Sequence, residues 1–444
     1  MTSANSSSAL QAVRIIVGAG AIADDPSAYS IDGKTPGLVA SPGSVEQLGE
    51  VMSAISESGL SAAPWGGGTQ VDLGNRISRL DAVVLMSSIN RVVQHNAADL
   101  TVTVEAGITL ARLSEVLVEE GQFLALDSPV GHRATIGGTL AAGASGPLRW
   151  QYGSVRDLVI GMKVVQANGT ITKGGGQVVK NVSGYDMARL HVGGLGTLGI
   201  IAEVSFKLTP LPRHQATVIA SFDALEICFD AASAVFHSQV MPMSLTAFSR
   251  SVNSTAEVVG VDGVYLLAVR LGGRPATLER QVKECVSTFE SHGAVFVEKL
   301  KDEHSGAVWR ALADFGWDEA TSAPLALRIS VVPALVKGVA GDLNGDATGP
   351  SAAVISQPAY GVISASWAPQ GGISVDDAVE IVGRVRERVH TLSGSVIVER
   401  CPAEAKAAFD VWDGVGESMD IMRRMKEQYD PAGVLNPGRF VGGI

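Results

Sequence analysis

The sequence predicts an α+β protein built from two domains. Three observations carry that expectation. Three clusters of glycine and other small residues fall before residue 202, set among helix-like segments and short apolar runs. From residue 213 onward, strand-like runs alternate with long helical ones, the pattern of helices layered on a sheet. Between the two regions, Pro210 and Pro212 mark a boundary. At 444 residues the chain can bury a large core and divide in two.

Residues 1–30 read as a lead-in, Ser-rich and polar up to Gln11. Within it, Val13–Val17 is apolar, and Gly18 to Ala23 fits the dinucleotide fingerprint GxGxxA. Pro26 argues against a nucleotide site there, because its ring would break the helix that such a site requires. Next come short β-like runs at Leu38–Ala40 and Val83–Leu85 and a helix over 44–58. Ser44 is its N-cap, Gln47 completes the capping pattern, Val45, Leu48, Val51, Met52 and Ile55 form its apolar face, and Gly59 stops it.

Ala62-Ala63 then leads into Pro64-Trp65-Gly66-Gly67-Gly68-Thr69-Gln70. Consecutive glycines leave backbone N–H groups unshielded, and a turn of such groups makes a concave anion site suited to a pyrophosphate. Taken alone, Gly-Gly-Gly is equally a flexible surface loop. Its recurrence in company favours binding. A strand at Thr101–Glu105 precedes a helix at 109–120 that Gly121 stops. The second cluster runs from Ser128-Pro129 through His132, Arg133, Ala134, Thr135, Gly137 and Gly138 to Ala142, Ser145 and Gly146. Small side chains at that density suggest a backbone lying against something flat or extended.

Residues 159–172 read as a hairpin around Asn168-Gly169. The third cluster spans Asn181–Leu190 and Gly193–Ile201. Gly194 to Gly199 is a formal GxGxxG, but a helix-like segment precedes it and a strand-like run, Ile200–Leu208, follows. That order reverses the dinucleotide fold, so the motif reads as a tight helix-to-strand turn in which Gly199 and Ile200 offer backbone to a ligand. Beyond 213, strands are expected at Val264–Leu271, Ala294–Val297, Ala326–Val332, Val354–Gln357, Tyr360–Trp367 and Ser395–Glu399, with helices at 276–291 and 375–392.

Composition narrows the function. With 34 Lys and Arg against 45 Asp and Glu, the net charge is −11, which argues against nucleic acid as a partner. Cys228, Cys285 and Cys401 lack CxxC spacing, so neither an iron–sulfur cluster nor a disulfide framework is expected. Cys285 shares the apolar face of a helix with Leu278, Val282 and Phe289 and reads as core. No signal-peptide pattern and no membrane-spanning apolar stretch is evident, which gives the expectation of a cytoplasmic protein, held at the inner membrane face only through partners if at all.

The ordered set Pro-x-Gly-Gly-Gly-Thr (64–69), Thr-Ile-Gly-Gly (135–138), Tyr-Gly-Ser-Val-Arg-Asp (152–157), Asn-x-x-Gly-Tyr-Asp (181–186) and Gly-Thr-Leu-Gly-Ile-Ile (196–201) resembles the vanillyl-alcohol-oxidase/p-cresol-methylhydroxylase (PCMH-type) family of FAD enzymes. Lys180–Asp186 and the ending Asp430–Arg439 point within it toward the FAD-binding E subunits of glycolate oxidases. The likeness covers about residues 35–210 and 425–440. It implies a PCMH-type FAD-binding domain of two α/β subdomains at 31–212, a cap with a mainly antiparallel sheet and helices on one face at 213–420, and a return of 421–444 to the FAD domain. It places Trp65, Gly66, Gly67, Gly68, Thr69, Gln70, Pro129, Ala134, Thr135, Gly137, Gly138, Ala142, Ser145, Gly146, Gly153, Gly199 and Ile200 at the cofactor.

The resemblance also implies glycolate oxidation to glyoxylate, within a complex holding a related catalytic flavin subunit and an iron–sulfur subunit. Catalytic members carry a His-rich metal motif in the cap. Here His214, His237, His292, His304 and His390 are scattered without ligand spacing, and no metal is expected. A stand-alone enzyme acting on another hydroxy acid or alcohol, and a non-catalytic flavin-binding subunit, stay open. Members with covalent flavin often place His beside the glycine loop. Thr69 and Gln70 stand there instead, which favours non-covalent FAD. His132, Arg133 and Lys180 have no assigned role, though Arg133 could face a carboxylate or a phosphate.

Overall fold

The computed structural model describes residues 3–176, 186–258, 263–345, 350–367 and 372–444. Lys180, Asn181 and Tyr185 lie outside them. The chain forms two compact units. One is Met1–Ser145, Ser154–Pro210 and Asp410–Ile444; the other is Gly146–Gly153 and Leu211–Phe409.

The first unit holds two principal sheets. Leu38–Ala40, Ala82–Leu85 and Ala62–Trp65 pair in that order as a parallel sheet. Such strands are covered on both faces, which is why they read as unbroken apolar runs. The helix Val45–Glu57 sets Leu48, Val51, Met52 and Ile55 into the same core as Leu38 and Ala82. Burying four such side chains is worth roughly 1.5–3 kcal/mol each. Ser44 caps this helix by accepting from Gln47 N at 3.2 Å, and Gly43 N donates to Gln47 Oε1 at 2.6 Å.

The lead-in is more structured than its sequence implies. Ser3–Val17 is a helix whose Val13 is fully buried in that core, with Leu10 and Ile16 packed against it. The apolar run Val13–Val17 is therefore the end of a helix, and the fingerprint after it has no preceding strand.

The second sheet is antiparallel, in the order Val92–Asn96, Thr101–Glu105, Ile200–Lys207, Val159–Val165, Ile171–Gly175. The hairpin turns at Asn168-Gly169 as expected, with Gly169 at φ +84°. The helix Leu110–Glu119 buries Leu113 and Leu117 with Val102, Val104 and Phe206.

The C-terminal segment closes the unit. Ala62 N donates to Val434 O at 2.8 Å and Asn436 N donates to Ala62 O at 3.0 Å, so the tail adds itself beside the strand that carries the glycine loop. Lys426, from the helix Ser418–Tyr429, fixes the approach. Its Nζ donates to Asp430 Oδ2 at 2.7 Å, Thr197 O at 2.8 Å and Leu435 O at 3.1 Å. Asp430 is buried and also accepts from Val434 N and Leu435 N, at 2.9 and 2.8 Å. Burial pushes the Lys426 ammonium below its ordinary value, and Asp430 opposes that shift.

The second unit contains one eight-stranded antiparallel sheet, ordered Phe296–Lys301, His214–Phe222, Tyr265–Gly273, Ser244–Ser249, Ala353–Gln357, Val362–Trp367, Leu325–Ser330, Ser395–Arg400. The expected strands appear within a few residues. His214–Phe222 and Ser244–Ser249 are additional, as are the helices Leu225–His237 and Asp302–Asp314.

Helices lie on both faces of this sheet, not on one. Side chains alternate along His214–Phe222. Thr217 meets Ser305 and Trp309 of the helix Asp302–Asp314, at 2.7 and 2.8 Å, and Ile219 shares their core. Phe222 points the other way, edge-on to Phe289 of the helix Pro275–Ser291 at 6.1 Å. Cys285 of that helix is fully buried, and burial pushes its thiol up to about 12.

Candidate cofactor site

A cleft of about 840 Å³, counted to its open mouth, lies in the first unit. Three loops and the C-terminal segment build its wall.

The glycine loop leaves the strand Ala62–Trp65 and contributes Gly66 through Val71. Among the described residues, the N–H groups of Gly67, Gly68, Thr69 and Gln70 carry no hydrogen bond to protein. Four consecutive unpaired donors on a concave loop suit an anion. The loop has no room for side chains. A Cβ on Gly67 would lie 1.8 Å from the carbonyl oxygen of Arg133, and one on Gly66 would lie 2.2 Å from Thr135 Oγ1. Gly68 adopts φ +70°, a conformation that glycine alone takes freely.

The second loop lies against the first. Thr135 caps the short helix Ile136–Ala142 and accepts from Gly138 N at 3.2 Å. Ile136 N and Gly137 N donate to Ile108 O and Ala106 O at 2.9 and 2.7 Å. These amides are spent inside the protein, so Thr135, Gly137, Gly138, Ala141 and Ala142 offer the cleft a close, mostly apolar surface. The third loop runs on from it: Leu195 N donates to Ala141 O at 2.9 Å, and Leu195, Gly196, Ile200 and Ile201 line the cleft.

The C-terminal segment supplies Asn436 and Arg439. Arg439 is 4% exposed, and its Nη2 donates to the carbonyls of Val71 and Leu73, which ties the end of the glycine loop to the tail. Burial lowers the Arg439 guanidinium from its ordinary value, with Asp32 and Asp72 acting the other way. Nearby, His191 is buried and pushed down to about 4, so it is neutral at pH 7.

Of the residues expected at a cofactor, Trp65 to Gln70, Thr135, Gly137, Gly138, Ala142 and Ile200 line this cleft. Pro129, Ala134, Ser145 and Gly199 do not. Gly199 packs instead on the strand Val159–Val165, where a Cβ would meet Val164 Cγ1 at 2.4 Å. Gly146 and Gly153 bound a segment that belongs to the second unit. There Trp150 packs on Phe236 at 5.3 Å, Arg149 lies 5.4 Å over the Tyr360 ring, and Tyr360 Oη donates to Gly146 O at 3.3 Å. His132 and the side chain of Arg133 are exposed. Sequence reasoning missed Asn436, Arg439, Ile31, Met86, Ala106 and Leu195. The Asn-Pro-Gly-Arg ending was visible, but its place at the cleft depends on pairing with Ala62, far away in sequence.

The fit to FAD is good on these observations: unpaired amides for a diphosphate, a glycine surface that any Cβ would fill, and two buried polar side chains opposite. Comparison with known proteins agrees. Residues 36–175 match the FAD binding domain, and residues 211–343 and 374–440 match the C-terminal domain of FAD linked oxidases. Glycolate oxidase subunit GlcD of Bacillus subtilis is 25% identical over 91% of this chain and 89% of its own length. The mitochondrial D-lactate dehydrogenase [cytochrome] of Arabidopsis thaliana is 27% identical over 91% of this chain and 73% of its own. Glycolate oxidase subunit GlcE of Escherichia coli is 35% identical, but over 35% of this chain and 43% of its own. The expectation of an E subunit in particular thus lacks support, since D-type and dehydrogenase relatives span the whole fold. Substrate-bound p-cresol methylhydroxylase superposes with a TM-score of 0.77 at 16% identity, covering 99% of this chain and 97% of that one, which shows the PCMH-type fold. The chain belongs to the FAD-linked oxidases and is an FAD-dependent oxidoreductase.

Proposed function

We propose that this chain oxidises a small 2-hydroxy acid, glycolate before others, at a non-covalently held FAD, as one flavin subunit of a larger oxidase. The observation that carries the reading is the cleft itself: the unpaired amides of Gly67–Gln70 on a cleft that Asn436 and Arg439 also line. FAD supplies hydride acceptance. The chain's residues bind and orient it. The loop amides take the diphosphate, and Thr135, Gly137, Gly138, Ala142 and Ile200 pack along its length. Among the described residues, the cleft lining includes no His, Cys or Tyr that could carry a flavin covalently. The remaining expected contacts in the first unit, Pro129, Ala134, Ser145 and Gly199, would act by shaping these loops; Gly146 and Gly153 belong to the second unit.

The reading assigns cofactor binding to residues 31–212 with the tail 421–444, and substrate or partner engagement to 213–420. Likeness to both GlcD and GlcE supports a complex with a related flavin subunit. An iron–sulfur subunit belongs to the same proposal. Cys228, Cys285 and Cys401 are each buried, and the first two thiols are pushed up to about 12, so they make poor cluster ligands. A cytoplasmic location accords with the finding that no helix among the described residues is long and apolar enough to cross a membrane.

A second reading is a stand-alone D-2-hydroxy-acid dehydrogenase, favoured by the dehydrogenase relative that spans 91% of the chain. Dye-linked turnover of glycolate, D-lactate and D-2-hydroxyglutarate separates the two. The subunit reading expects little activity from the purified chain and a large gain on co-expression with a second flavin subunit and an iron–sulfur subunit. Robust turnover by the chain alone supports the stand-alone enzyme.

A further inference from the structure

The glycine loop has no secondary structure of its own to hold it. Residues 66–81 join the neighbouring parallel strands Ala62–Trp65 and Ala82–Leu85 with neither helix nor strand between them. A connection between parallel strands is ordinarily a helix, which satisfies its own backbone groups. Here the tail Asp410–Ile444 takes over much of that role. Asn75 N donates to Arg439 O and Ser78 N donates to Pro437 O, each at 2.8 Å. Arg439 Nη2 donates to the carbonyls of Val71 and Leu73. Each segment also brings a glycine to the other's backbone. A Cβ on Gly74 would lie 2.9 Å from Arg439 O, and one on Gly438 would lie 3.2 Å from Arg76 O.

Asn75 is the centre of this junction. Its Nδ2 donates to Asp410 Oδ1 at 2.8 Å and to Phe440 O at 3.1 Å, and its Oδ1 accepts from Val411 N at 2.8 Å. The whole side-chain amide is thus engaged by two separate stretches of the tail. Asp410 draws those stretches together, accepting from Trp412 N at 2.9 Å and from Gly442 N at 2.8 Å. Trp412 Nε1 donates to Arg439 O at 3.1 Å, and its ring lies edge-on to Phe440 at 5.3 Å. The order passes on to the cradle through Leu73 N, which donates to Gln70 O at 3.3 Å.

We propose that the tail is a clasp on the glycine loop, with Asn75 as its positioning residue, so that docking of the tail and binding of FAD favour each other. This rests on the reading of the cleft as the FAD site. An undocked tail leaves residues 71–78 without these partners, and FAD must then order the Gly67–Gln70 amides itself, which weakens its binding. Linkage makes the effect reciprocal: bound FAD holds the tail down by the same factor.

The test is amide hydrogen exchange of the full chain with and without FAD, beside FAD titrations of the apoprotein. In wild type, FAD should slow exchange at the Val411, Trp412 and Gly442 amides by about tenfold, within the usual range of coupling between two sites. Asn75→Ala should bind FAD about tenfold more weakly and lose the FAD response at Trp412 and Gly442. A purely structural defect would leave that response intact. Trp412→Phe keeps the ring on Phe440 and loses only the bond to Arg439 O. It repeats the comparison should the alanine variant misfold, with affinity lowered about fivefold. No FAD response at these amides in wild type, a response retained in Asn75→Ala, or affinity within about twofold of wild type in every variant that folds, overturns the inference and leaves the FAD site standing. Failure of wild type to bind FAD removes the site and the inference together.

Discussion

Gly67→Ala is the sharpest perturbation of the glycine loop. The new Cβ would lie 1.8 Å from the Arg133 carbonyl oxygen and 2.6 Å from its carbon, both backbone atoms with no rotamer to yield. Ordinary contact begins near 3.5 Å, so the two loops must part by about 1.7 Å. Overpacking of that kind costs about 1–3 kcal/mol. Because the loop is half-buried at the surface, the chain relieves the strain by moving Gly66–Gln70 out of the cleft. The cradle is then displaced, and FAD affinity should fall at least roughly tenfold for each 1.4 kcal/mol carried into binding. Fluorescence titration of apoprotein with FAD reads this directly. Gly20→Ala is the control, since nothing lies within 4 Å of its Cβ position. Gly67→Ala binding FAD within twofold of wild type, with Gly20→Ala unchanged, would refute the close approach of these loops.

Three further expectations follow. Gly199→Val should weaken FAD binding more than Ile200→Val, because the former drives a side chain into Val164 at 2.4 Å while the latter only trims a buried group; the reverse order in the same titration counts against the turn. Lys426→Met leaves the buried Asp430 carboxylate without its counter-ion, and thermal melts should show a loss of about 3 kcal/mol, exceeding that of Asp430→Asn; a change below about 1 kcal/mol would mean that the tail is held otherwise. His191, at about 4 in the folded chain against 6.5 unfolded, takes up protons more readily when unfolded. Stability is therefore full above pH 6.5 and declines as pH falls toward 4, by on the order of 3 kcal/mol. His191→Phe should flatten denaturant midpoints across that window, and an unchanged slope would exclude His191 as the source.

Local chemistry made parts of this fold legible. The capped helix Val45–Glu57, the Asn168-Gly169 hairpin and the glycine loop each advertise themselves within a few residues. The close approach at Gly67 and the left-handed backbone at Gly68 leave few other residue choices. Asn436 and Arg439 were harder, because an asparagine before Pro-Gly signals a turn and nothing about the cleft it faces. Residues 146–153 show a different limit. The resemblance placed Gly146 and Gly153 at the cofactor, and sequence alone gave no sign that they bound a segment of the second unit in which Arg149 and Trp150 anchor on Tyr360 and Phe236. His214–Phe222 escaped notice as a strand because it is covered on both faces and so lacks alternation.

Flavin release from the purified chain tests the central claim most directly. The account predicts one FAD per chain, and intact FAD free in the supernatant once the protein is precipitated with acid. Flavin that stays with the precipitated polypeptide, or a folded chain that takes up none on reconstitution, would contradict it.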